Sequence, residues 1–470
     1  MTGRLKWLLA LAVGGTALSM LAGCSSDSLQ LPSLPKVGDL NPFKEKQVPL
    51  PGKRVAILQT REKLAGDLAD ASKPIALPPA HSNENWAQPG GEPSNAPGHL
   101  ALAGPVRVAW RADAGAGSSK GGRLTASPIV YGGRVFVMDT NADVRAFSSG
   151  GGSAVWRTAL MPEDEKKAGG FSWTLPSFSS LGGASSTGGY GGGLAADDGR
   201  IFAATGFGNV VALDPASGKK LWEKQLGVPA RAAPTAASGR VYIITADGRF
   251  FCLSAADGAE LWAVRGLPQQ ASLLLATSPA IDGDIVVVPY PYGDVVALKS
   301  SDGTAAWSEN LARTRTTSQL ASLSDAARPV IDAGTVYAVG HAGRMVATQA
   351  KTGERLWSLN VPGTQMPWVA GGSIFVVDTG GQLMSVARHD GKIQWTAKLP
   401  GASGDTWSGP VLAGGSLWLA SSKGQLVSVE PQTGKVGAQQ DLGGPVYIAP
   451  VVAQGRMYVL NDKAQLIGLN

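Results

Sequence analysis

Only four histidines (His81, His99, His341 and His389) and two cysteines (Cys24 and Cys252) stand in 470 residues as candidates for metal or thiol chemistry. Zinc sites draw three or four such ligands together, usually at close spacing. Here His81 and His99 lie in or near a proline-rich stretch, and His341 and His389 fall in turns of different repeats with no second ligand beside them. His389 precedes Asp390-Gly391, where a polar residue serves the turn itself. Serine is abundant, yet no Gly-x-Ser-x-Gly elbow with its charge-relay partners can be assembled. No phosphate loop, EF-hand or HExxH pattern occurs. Asp247-Gly248, Asp257-Gly258 and Asp302-Gly303 also read as tight reversals between strands. The expectation is a chain with no catalytic residue, no metal and no cofactor.

What the sequence does contain is repetition. A glycine introduces a short strand rich in β-branched and aromatic residues at Gly133, Gly199, Gly239, Gly283, Gly334, Gly372, Gly415 and Gly455. A second strand follows, then a turn of the form Gly-x-x-x-Trp. Most units are about 40 to 50 residues apart, the period of four-stranded propeller blades. In one unit Pro128-Ile129-Val130 opens a strand and Gly132-Gly133 turns it. Residues 134–139 return, 143–147 form a third strand, and Gly152 leads into Ala154-Val155-Trp156-Arg157, the fourth. Alternation with period two and glycine-rich turns mark an antiparallel meander.

Third strands align closely, and their third place is always small: Ala212, Cys252, Ala297, Ala347, Ser385, Ser428 and Gly468. Cys252 is therefore expected to be a buried filler. Trp156, Trp222, Trp262, Trp307, Trp357 and Trp395 recur at one repeat position and are expected to wedge between neighbouring blades. In the seventh unit Ala438 takes that place, which predicts a less well packed seam. The eighth unit stops after its third strand, while Pro105–Arg111 reads like an orphan fourth strand ending in Trp110. Joining the two removes exposed edges. An all-β, eight-bladed propeller over residues 105–470 follows, closed by an N-terminal strand that completes the C-terminal blade; seven blades is the rival count.

Arg4 and Lys6, an apolar run from Trp7 to about Leu21, and Leu21-Ala22-Gly23-Cys24 make residues 1–23 a secretory signal peptide. Leu-Ala-Gly-Cys resembles the processing box of bacterial lipoproteins, which implies lipid attachment at Cys24. Ser25, where an aspartate means inner-membrane retention, implies the periplasmic face of the outer membrane. Loss of Arg4 and Lys6 lowers the formal net charge from +6 to +4, with no basic stripe of the kind that binds nucleic acid. Residues 24–104 carry eleven scattered prolines before Gly104 and read as a membrane tether and lead-in segment, with a helical turn near Arg61–Ala71. Asn85-Trp86 and Gly90-Gly91 resemble the segment of quinoprotein propellers that packs on the ring outside any blade. A Gly/Ser-rich insertion follows Pro162 and reads as a surface loop.

The repeats resemble those of pyrroloquinoline quinone-dependent dehydrogenases. That family's adjacent cysteines have no counterpart here, and neither do the long inserts that build its funnel. A lipoprotein signal, a tether and eight quinoprotein-like repeats without the quinone site together resemble the BamB family, the propeller lipoproteins of the outer-membrane β-barrel assembly machinery. That resemblance implies a non-catalytic scaffold, anchored in the outer membrane, docking on the periplasmic POTRA domains of the barrel-forming subunit and assisting unfolded outer-membrane proteins. Family members dock through leucines with an adjacent arginine in one inter-blade loop and aspartates in the next. The matching places here are Leu273 and Leu275, followed by Ala276 instead of arginine, and Asp325, with Ala327 at the second acidic position. The apolar run Leu273-Leu274-Leu275 would also suit the start of a core strand. A quinone-dependent oxidoreductase and a solute-binding periplasmic propeller with a polar, aromatic-lined channel are the alternative readings.

Overall fold

The computed structural model describes residues 75–470, apart from 121, 163–190, 267–276, 291–292, 312–325, 342 and 403. Within these the chain forms eight four-stranded antiparallel sheets, each a meander whose first strand is innermost. Blade 1 runs through Ile129–Tyr131, Arg134–Met138, Asp143–Ser148 and Ala154–Ala159. Blades 2 to 7 repeat that order, beginning at Gly192, Thr235, Ala280, Val330, Trp368 and Trp407. Second and third strands are buried almost throughout, whereas fourth strands alternate between exposed and half-buried residues. The alternation expected of a ring with a solvated rim is therefore present. Turns between first and second strands place glycine where φ is positive, as at Gly132 (+55°) and Gly133 (+76°), which a tight hairpin requires.

Ring closure occurs as the termini of the repeat suggest. Blade 8 consists of Val451–Ala453, Arg456–Leu460 and Gln465–Leu469, completed by Val108–Asp113. Trp110 lies opposite Gly468 and Arg111 opposite Ile467. Beyond the strand ends, Arg107 and Asn470 exchange backbone hydrogen bonds of 2.8 and 2.9 Å.

The tryptophans explain two sequence patterns at once. Each lies directly across from the small third place of its own blade: Trp156 on Ala146, Trp222 on Ala212, Trp262 on Cys252, Trp307 on Ala297, Trp357 on Ala347 and Trp395 on Ser385. A larger residue there would collide with the indole. Each ring also covers the turn glycine of the next blade; a Cβ on Gly258 would lie 2.7 Å from the Trp222 ring. Six indoles donate Nε1–H to a carbonyl of that next turn, from Pro215, Ala255, Ser300, Ala350, Arg388 and Pro431, at 2.7–3.1 Å. The row is therefore a set of wedges, each carrying one inter-blade hydrogen bond.

The seam after blade 7 departs from this. Ala438 is exposed, and among the described residues no indole bridges to blade 8. Instead the Gln440 amide, with its nitrogen turned to a carbonyl, donates to Val106 O and accepts from Val108 N, both at 3.2 Å. The contrast yields a differential test. Ala347→Leu, facing Trp357, should cost about 1–3 kcal/mol by overpacking. Ser428→Leu, which has Trp418 of the second strand beside it but no tryptophan from the fourth strand, should cost visibly less in the same urea titration.

Residues 75–104 belong to no blade, yet they bond the innermost strand or its flank in every one. Trp86 pairs with Val130 of blade 1, and Ala87 O accepts from Ala196 N of blade 2. Gln88 donates to Ala196 O and Ala236 O and accepts from Ala236 N of blade 3. Pro93 O and Ser94 O accept from Ile281 N and Ile331 N of blades 4 and 5. Gly98 O accepts from Trp368 Nε1 of blade 6, Leu100 bridges Ala413 of blade 7, and Asn83 O accepts from Gln454 N of blade 8. An inner strand is a sheet edge with unpaired groups, and this segment satisfies one edge after another. It plugs the hub. His99, placed by composition in or near the tether, is buried in this plug between Pro78 O (2.8 Å) and Gly415 N (3.1 Å).

Candidate functional site: the channel above the plug

The plug lies at the face of the ring that carries the hairpin between first and second strands. Above it, open at the opposite face, is a cavity of about 640 Å³. Its floor is Trp86, stacked on Trp368 with centroids 6.3 Å apart and planes 19° from parallel. Blades 6, 7 and 8 contribute Met366, Trp407, Val411, Tyr447 and Ile448, largely apolar. The blade 4 and blade 5 side contributes Thr277, Arg328 and His341. No single motif encodes this wall, because it is assembled from inter-blade connections far apart in the chain.

The carboxylates at the cavity serve the fold. Asp378 Oδ1 accepts from the backbone N–H of Gly380 and Gln382, closing its own turn. Asp405 accepts from Ala402 N at 2.9 Å and faces Lys423 at 3.8 Å. Asp462 accepts from Ser118 Oγ. Arg328 is part-buried and donates Nε–H to Ser278 Oγ at 2.8 Å. Burial pushes its pKa down to about 10, so it stays charged at neutral pH.

The docking candidates Leu273, Leu275 and Asp325, and the lipid-attachment candidate Cys24, lie outside the described residues, as do residues 61–71 and 163–190. Their described flanks are informative. Thr277 directly follows one candidate loop and Arg328 lies just beyond the other, and both line the cavity. Ala327, matched to the second acidic position, is fully buried. Cys252 is fully buried as the repeat demands, and burial pushes its thiol up to about 11. His341 reaches the cavity rim; His389 meets its neighbour Asp390, at 3.3 Å. The plug-and-cavity arrangement itself has no signature in residue spacing.

Comparison with known proteins decides the family. A family model described as outer membrane protein assembly factor BamB matches residues 141–397 and 390–470. The chain belongs to the BamB family. The crystal structure of BamB from Moraxella catarrhalis superposes with a TM-score of 0.63 at 16% identity, covering 78% of this chain and all of that one. Quinohemoprotein alcohol dehydrogenase from Comamonas testosteroni superposes with the same TM-score at 13% identity, over 83% of this chain and 81% of its own. A europium-containing methanol dehydrogenase follows at 0.61 and 15%, over 80% and 89%. At such identities these likenesses establish the propeller alone. No curated protein sequence matches the chain.

The dehydrogenase likeness raises the question of a quinone with its metal ion. The described residues of the channel do not supply the donor set. Among the described residues no three His, Cys, Asp or Glu side chains gather into a metal-holding group. The only described cysteine, Cys252, is buried in a blade interior and has no adjacent partner. The three cavity aspartates are engaged by backbone amides, a hydroxyl or Lys423.

Proposed function

We propose that this protein is a non-catalytic scaffold of the outer-membrane β-barrel assembly machinery, held at the periplasmic face of the outer membrane by a lipid on Cys24. It docks on the POTRA domains of the barrel-forming subunit and assists the folding and insertion of outer-membrane proteins. The observation that carries this reading is the BamB family match over residues 141–470. The donor set at the channel supports it against a quinone-dependent oxidoreductase, the reading favoured by the two dehydrogenase neighbours. Leu273, Leu275 and Asp325 remain the proposed docking residues. They fall in connections whose described flanks reach the open face of the ring.

The test is co-purification from detergent-solubilised membranes. Wild-type protein should bring down the barrel-forming subunit, and a Leu273→Glu, Asp325→Arg double variant should reduce that yield at least severalfold. An unchanged yield removes those residues from the contact, and absence of the subunit from the wild-type eluate removes the scaffold reading. Quinone absorbance in the purified protein would favour the oxidoreductase instead.

Thiol counting tests the anchor separately. Cys252 should be inert toward a thiol reagent in the folded protein, being both buried and protonated. On unfolding in denaturant, protein taken from membranes should release one reactive thiol per chain, because Cys24 is blocked by its lipid. Two thiols would mean that Cys24 is unmodified.

A further inference from the structure

Trp407 is an exception among the described tryptophans. The six wedge indoles, and those of Trp368 and Trp418, donate their N–H to a backbone carbonyl. Those of Trp86 and Trp110 are sealed in the interior without an acceptor. Trp407 is only 6% exposed and lines the cavity above the plug, yet its Nε1–H is neither bonded to a described residue nor sealed off. Two hydroxyls share that condition. Ser408, the next residue, and Thr277, on the blade 4 side, are each 4% exposed and line the same cavity. Neither side-chain oxygen is sealed or bonded to a described residue. Polar groups buried in a protein ordinarily have partners. Three without one, around a single space of about 640 Å³, mark a place for a polar ligand or for the water it displaces. That volume falls within about 300–1,000 Å³, the range of small-molecule sites.

The rest of the lining narrows the ligand's chemistry. Thr364 and Gln365 add a further hydroxyl and an amide. Arg123 and Arg328 are offset by Asp378, Asp405 and Asp462, so the wall as a whole favours neither an anion nor a cation. Tyr447, 48% exposed, forms an apolar side with Met366 and Ile448 and presents a flat ring. A neutral molecule with hydroxyls around its edge and C–H groups on its faces matches such a surface. Its hydroxyls both donate and accept hydrogen bonds, as the unpaired groups require. Its C–H faces lie against the electron-rich face of an aromatic ring. A sugar ring has that form.

We propose that the cavity is a binding site for a short neutral oligosaccharide, with a sugar ring laid on Tyr447 and hydroxyls bonded to the Trp407 indole N–H, Ser408 and Thr277. This goes beyond the scaffold reading and is independent of it, since it concerns the channel and not the docking loops.

The full-length protein, in a detergent without a sugar headgroup, is titrated separately with maltotriose and with chitotriose, following tryptophan fluorescence and heat. Trp86, Trp368 and Trp407 line the cavity, so their emission reports its contents. Saturable binding of at least one trisaccharide is expected, with a dissociation constant below about 1 mM. Trp407→Phe keeps a ring and removes the N–H, and should weaken that binding at least about threefold. Tyr447→Ala should weaken it at least about fivefold. The second variant alters a half-exposed side chain and should keep the parent unfolding midpoint, which separates loss of binding from loss of fold. Val155→Asp, on the outer strand of blade 1, should bind as the parent does. Hexa(ethylene glycol), a flexible polyether with no hydroxyl-bearing ring, should bind at least tenfold more weakly than the trisaccharide. No saturable signal with either trisaccharide overturns the proposal. So does binding that neither cavity variant weakens, or equal binding of the polyether.

Discussion

Trp86→Ala is expected to destabilise the protein by about 3–5 kcal/mol, the range for deleting a buried aromatic side chain. Trp86 is 2% exposed, stacks on Trp368 of blade 6 and pairs through its backbone with Val130 of blade 1. Loss of the ring leaves a hole where the plug packs between blade 1 and blade 6. Gln88→Ala in the same segment removes three hydrogen bonds, to Ala196 O, Ala236 O and Ala236 N, all buried. Buried groups left without partners cost about 1–3 kcal/mol. Chemical unfolding of the two single variants and the double variant measures both effects. If Trp86→Ala unfolds at the wild-type midpoint, the plug is an ornament on a self-sufficient ring.

Gly468→Ala should also destabilise the protein, for a purely steric reason. Gly468 lies in an ordinary strand, so glycine is not needed there for its backbone freedom. A Cβ at this position would run into the Trp110 ring. The corresponding places in the other blades carry alanine, serine or cysteine, so what differs is the tryptophan. Trp110 Nε1 has no acceptor, whereas its six counterparts reach a carbonyl of the next blade. The carbonyl it would use, Ser149 O, is taken by Tyr458 Oη and Arg456, both at 3.2 Å. The indole settles instead against Gly468. Overpacking there should cost about 1–3 kcal/mol. In a Trp110→Ala background the same substitution should be close to neutral, a coupling of at least about 1 kcal/mol in a double-mutant cycle. Additive effects would show that Trp110 is not the obstacle.

Much of this fold was legible in the sequence, because a propeller writes each blade out again. Glycine turns, small third places and recurrent tryptophans gave the blade, and the orphan strand ending in Trp110 gave the closure. The reach of the plug was not legible. It touches all eight blades mainly through backbone carbonyls such as those of Ala87, Pro93 and Ser94, which any side chain leaves available. The cavity was hidden for a related reason: Arg328, Trp407 and Tyr447 come from three connections with no shared pattern. The weak seam at Ala438 was visible as a missing tryptophan. Its replacement by Gln440 was not, because the partners are main-chain atoms of a strand more than three hundred residues away.

The sealing of blade 8 has a temporal side. Arg111 Nη1 meets Gln465 Oε1 at 2.7 Å across 354 positions of chain. As the polypeptide emerges, Val108–Asp113 waits without a neighbour while seven whole blades are laid down, a long interval for a lone β-segment to stay out of wrong pairings. Arg107, Arg111 and Asp113 spread charge of both signs along it, a deterrent to adhesion by stray strands during that delay.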